Sequence, residues 1–113
     1  MGMLVSGFER MALSAVLGSV LASGVFAASA SAADVAHGEQ LARRWCASCH
    51  VVADDQTHGS DNVPTFTAVA RSPGFTTDHL ARFLRDPHPK MPDMQLSVPE
   101  ADDLAAYIAS LAK

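Results

Sequence analysis

Cys46-Ala47-Ser48-Cys49-His50 places two cysteines three residues apart with a histidine directly after the second. That spacing lets both thiols reach the two vinyl groups on one edge of a porphyrin and leaves the next residue to turn its imidazole onto the iron, so the run reads as a site of covalent c-type haem attachment. Three other readings compete for the same residues. A dithiol redox motif calls for a βαβ setting, and no strand-rich pattern precedes Cys46. A structural zinc site calls for four ligands, and with two cysteines in the whole chain, His50 and a distant histidine would have to complete the set. A disulfide between cysteines this close would restrict the unfolded chain little.

Upstream, residues 1–32 read as a signal peptide. Arg10 is the last charge before an uncharged run from Met11 to Ala33, whose apolar centre spans 11–21 and whose end is the small-residue stretch 27–33. Ala30-Ser31-Ala32 fits an A-x-A cleavage site, which puts the mature start near Ala33. The competing reading is an uncleaved anchor, since an uncharged run of this length could cross about 30 Å of hydrocarbon; its many Ser, Gly and Ala residues speak against that.

The remaining chain, 33–113, is one small domain, whose core needs a staple of some kind. A covalently held porphyrin would be such a staple. Glu9 and Arg10 leave together, so the net charge stays at −4, with seven basic and eleven acidic residues. Mild acidity without a basic stripe speaks against a nucleic-acid partner.

Periodicity predicts helices and no convincing strand. The first runs from Val35 to about Ala47, with Leu41 and Trp45 on one face, and delivers the cysteine pair. Residues 52–63 are polar and turn-rich and read as a loop; a short helix is expected over 65–71. Another begins with Thr76 or Thr77 as N-cap, carries Leu80, Phe83 and Leu84 inward, and stops before Pro87. Residues 86–92, with three prolines, form a stiff extended loop. Ser97 and Glu100 form a capping box for the last helix, where Ala101, Leu104, Ile108 and Leu111 recur at helical spacing beside Tyr107.

The ligand opposite His50 decides what a bound haem does, because a strong protein ligand makes an electron carrier and an open position allows gas binding or peroxide chemistry. Beyond the leader two methionines remain, Met91 and Met94. Met91 sits in the proline-rich loop, where a side chain can be held against a metal, while Met94 fits better as packing. His88, in the same loop, and His58 and His79 are rival ligands, each with a surface role as the alternative; His37 reads as a surface residue.

Cys46 to His50, then Lys90-Met91-Pro92, then Leu96-Ser97, Glu100-Ala101, Leu104-Ala105 and Tyr107 resemble the class I mono-haem cytochromes c of bacteria over essentially all of 33–113. The resemblance implies a small all-α fold, three to four short helices wrapped around one haem c linked through Cys46 and Cys49, with His50 and Met91 as axial ligands. It also implies that Gly38 lets the first helix cross closely over Tyr107, and that the Pro64 carbonyl accepts a hydrogen bond from the other nitrogen of His50. Position 42, where many members place an aromatic, holds Ala42, so the crossing would lean on Leu41 or Trp45.

The function implied is a periplasmic electron-transfer protein with no catalytic residue, a monomer or a partner-bound subunit, exchanging electrons with a donor and an acceptor protein. It has no membrane contact unless the leader is kept. The rivals are a haem subunit of a larger oxidoreductase and a haem sensor or peroxidase with an open sixth site. With Lys90 and Lys113 the only lysines, a lysine ring around the haem edge is not expected.

Overall fold

The computed structural model describes residues 31–60, 62–86 and 90–113. The expected leader falls almost wholly outside them, as do Pro87, His88 and Pro89. Among the described residues four α-helices succeed one another: α1 (Val35–Leu41), α2 (Phe66–Ala70), α3 (Thr77–Arg85) and α4 (Val98–Ser110). There is no strand among the described residues, as the sequence predicts. No helix among them is long and apolar enough to cross a membrane.

Each α-helix starts at a polar cap that satisfies an otherwise orphaned N–H group. Asp34, Thr65, Thr76 and Ser97 accept from the third residue on, His37, Ala68, His79 and Glu100 respectively. At α4 the capping box closes in both directions, since the Glu100 carboxylate also accepts from the Ser97 N–H at 2.9 Å. Thr76 is thus the cap of α3, and α3 ends at Arg85, one residue before the position that Pro87 bars from helix.

The first helix does not continue to Ala47 as an α-helix. From Ala42 to Cys46 it widens into a π-helical turn, closed by Ala47 N–H donating to Ala42 C=O at 3.1 Å. An i→i+5 turn holds more than 3.6 residues, so it rotates the later side chains off the face that Leu41 defines. Leu41 therefore packs in the core at 8% exposure, whereas Trp45 turns outward at 45% with the Arg44 guanidinium over its ring. The crossing leans on Leu41 and not on Trp45.

Packing centres on α4, against which α1 and α3 lie. Leu104, Tyr107 and Ile108 of α4 meet Leu41, Ala42, Val52, Phe66 and Ala70 in the main cluster, with Cys46 and Ala47 at its margin. A second cluster is built only from Ala81, Ala101 and Ala105, small side chains that let α3 come close to α4. Phe83 does not turn inward as its spacing suggested. Leu80 and Leu84, half-buried, and Ala81 take the face toward α4, leaving Phe83 on the flank at 47% exposure.

At the crossing of α1 and α4 there is no room for a side chain. A Cβ built on Gly38 would fall on the backbone carbonyl of Asp103 and 2.8 Å from Tyr107 Cβ. Beside it, Asp103 ties down the start of α1: its carboxylate accepts from the Asp34 N–H at 2.6 Å and sits 2.7 Å from His37 Nδ1. The hydrogen bond to Asp103 raises the His37 pKa, and the same bond lowers that of Asp103.

Gly38→Ala is expected to destabilise the protein by about 2 kcal/mol net, because overpacking against backbone outweighs the roughly 1 kcal/mol that alanine returns in helix propensity. Thermal unfolding should show a midpoint lower by roughly 10 °C. The His37–Asp103 pair adds a pH dependence: the His37 contribution is whole below the free imidazole pKa and is lost as pH rises through its raised folded value, and the Asp103 contribution is lost as pH falls through its depressed one. Denaturant midpoints across that window should flatten on both sides in His37→Gln.

Candidate haem site

The π-helical turn ends on Cys46, and the chain then folds tightly over itself: the N–H groups of Cys49 and His50 both donate to the Cys46 carbonyl, at 3.1 and 2.9 Å. This reversal brings Cys46, Cys49 and His50 together, as the motif requires. Cys46 is half-buried against the core and Cys49 is exposed, and the two are not joined by a disulfide.

His50 is oriented by two neighbours. Its Nδ1 lies 2.6 Å from the carbonyl oxygen of Pro64, and its ring sits 5.4 Å from that of buried Phe66, tilted by 47°. A carbonyl can only accept, so Nδ1 carries the proton and Nε2 keeps its lone pair for a metal. A backbone acceptor behind a ligating imidazole both fixes the ring and strengthens its donation. The contact expected between Pro64 and His50 is therefore present, and the donor set fits a haem iron.

The competing uses of the cysteines fit less well. Burial pushes the Cys46 thiol up to about 11, whereas a reactive dithiol works through a lowered thiol pKa. Among the described residues no group of three or more His, Cys, Asp or Glu is gathered as a metal ion would need, and a structural zinc calls for four ligands.

On the segment between α3 and α4, Met91 and Met94 are both half-buried, so exposure does not separate them. The segment is braced by an Asx turn in which Asp93 accepts from the Gln95 N–H at 2.8 Å, supporting the left-handed backbone of Gln95 at φ +51°. His58 is exposed and hydrogen-bonded to Thr57, and His79 is exposed on α3. His37 belongs to the helix crossing, away from the motif, while His88 lies outside the described residues.

Sequence reasoning passed over Gln56, which touches more of the motif than any other described side chain of its loop. Its Nε2 lies within 3.0 Å of three carbonyls, those of Ala47, His50 and His58, and its Oε1 accepts from Val52 N–H at 3.0 Å. Tyr107 of α4 completes the support by donating to the Val52 carbonyl at 2.6 Å.

A short-helix protein with a motif for covalent haem and an imidazole freed on one nitrogen is a c-type cytochrome in design. Comparison with known proteins agrees: residues 33–108 match the family described as cytochrome c oxidase, cbb3-type, subunit III. The chain is also 59% identical over 92 residues to cytochrome c-552 of Bradyrhizobium diazoefficiens, an alignment covering 81% of this chain and 88% of the relative. No solved structure matches it. The chain belongs to this family of mono-haem c-type cytochromes. It carries one covalently bound haem c and is an electron-transfer protein, not an enzyme, which exchanges electrons with redox partners.

Tyr107→Phe should cost about 1 to 3 kcal/mol, because the Val52 carbonyl, on a residue 1% exposed, loses its donor without water to replace it. Chemical denaturation should show that loss with an unchanged slope.

Proposed function

We propose that the protein is a periplasmic electron carrier whose haem is linked through Cys46 and Cys49 and held axially by His50 and Met91. Residues 1–32 then serve as the signal peptide that exports it, and 33–113 as the working domain. The observation that carries the reading is the hydrogen bond from His50 Nδ1 to the Pro64 carbonyl, which leaves Nε2 as the only ring nitrogen able to bind a metal. Support for the domain limits comes from the family match, which begins at Ala33, where the leader-like run ends.

Bound haem supplies one-electron chemistry at its iron. The protein's share is to choose which oxidation state is favoured. A thioether sulfur stabilises ferrous iron relative to a second imidazole, so a Met91 ligand places the couple in the higher His/Met range. The backbone acceptor behind His50 pulls the other way by increasing imidazole donation, and the buried Phe66 ring lies beside the imidazole. No proton need move and no side chain need react, which suits a carrier.

Met91 is favoured over Met94 by sequence position. Counted from Met91, the distance to Leu104 and Tyr107 on α4 agrees with the family pattern; counted from Met94 it does not. The oxidised holoprotein should show the weak sulfur-to-iron charge-transfer band at the red end of the visible spectrum. Met91→Ala should abolish it and lower the reduction potential, and Met94→Ala should leave it in place. Covalent haem without that band in the unmutated protein would assign the sixth position to a histidine or to solvent.

A further inference from the structure

Most carbonyls of residues 46–52 are held, partly by N–H groups of the motif itself and partly by the chain beyond it. Cys46 C=O takes the N–H groups of Cys49 and His50, Cys49 C=O that of Ser60, and Val51 C=O that of Phe66. The remaining bonds come from side chains. Tyr107 takes Val52 C=O, and Gln56 takes those of Ala47 and His50.

Gln56 bonds the main chain on both sides of the ligating histidine, at Ala47 and at Val52. Its amide orientation is fixed by chemistry: the group facing three carbonyl oxygens must be the donor NH2, and the group facing Val52 N–H must be the acceptor oxygen. The shortest contacts, 2.7 Å each, run to the carbonyls of His50 and His58, so the loop after the motif is cinched onto the histidine's own peptide. Gln56 is half-buried, which limits competition from water.

We propose that Gln56 is a positioning residue for the haem-binding histidine: by holding the main chain at Ala47, His50 and Val52 it fixes the orientation in which the His50 imidazole meets the iron, and so tunes the reduction potential. This rests on His50 being the ligand. The Pro64 carbonyl orients the ring from behind its Nδ1, while Gln56 fixes the peptide from which the ring projects. Both are needed, because a ring anchored only at Nδ1 can still pivot with its backbone.

The test compares the holoprotein with Gln56→Glu and Gln56→Met, and with Ser97→Ala, which opens the capping box on α4 and leaves every bond to the motif intact. The readouts are the reduction potential by spectroelectrochemistry, the hyperfine-shifted His50 resonances of the oxidised protein, and the thermal midpoint. Both Gln56 variants should displace the His50 resonances and change the reduced-to-oxidised ratio at fixed poise severalfold. Glu should act more strongly, since it turns a carboxylate onto three carbonyl oxygens. Ser97→Ala should lower the thermal midpoint alone. Gln56 variants that lose thermal stability but keep the parent resonances and potential overturn the proposal and leave Gln56 a purely structural residue. A His50→Ala protein that keeps the parent spectrum instead overturns the ligand assignment beneath it.

Discussion

Backbone meets backbone where α1 crosses α4, and the missing Cβ of Gly38 is what permits it. Because α1 can lie directly on Asp103 and Tyr107, Leu41 and Ala42 reach the core made by Leu104 and Ile108. The π-helical turn that carries Cys46 grows straight out of this contact. Any separation of the two helices would move the haem motif away from Tyr107, whose hydroxyl holds Val52. Dispersion and burial favour such close contact strongly, since every atom on the facing surfaces gains neighbours.

A second level of organisation runs through hydrogen bonds instead of apolar contact. Residues 52–63 look like a solvated loop by composition, yet several of their polar groups face inward, toward the carbonyls of residues 47–50. A chain this short cannot surround its functional peptide with helices alone. It uses one side-chain amide, one phenol and the N–H groups of Ser60 and Phe66 to satisfy carbonyls that the turn's own bonds to Cys46 leave over.

What could be read in advance divides along the range of the forces involved. The Ser97–Glu100 capping box and the Thr76 cap are local, set within one turn, and were legible from residue type. The motif, Gly38 and Pro64 were legible because each matches a residue of a recognised family pattern. Trp45 and Phe83 were misplaced for one shared reason: periodicity assigns faces on an ideal helix, whereas the π-helical turn shifts the register at Trp45 and the alanine contact of α3 with α4 selects the Leu80 and Leu84 side over Phe83. Gln56 was invisible because its acceptors are gathered by the path of the loop, and no spacing rule marks a glutamine in a polar run as anything but solvated.

The burial of Cys46 has a kinetic side. Only a thiolate attacks a disulfide, and shifting the thiol from 9.0 to about 11 lowers its thiolate fraction near neutral pH about a hundredfold. Exposed Cys49 can be captured by a small disulfide in the surroundings, but closing that mixed disulfide into a Cys46–Cys49 bridge would require the buried sulfur to attack. The apolar margin of the core thus sets the two thiols apart, Cys46 half-buried against it and Cys49 exposed to solvent.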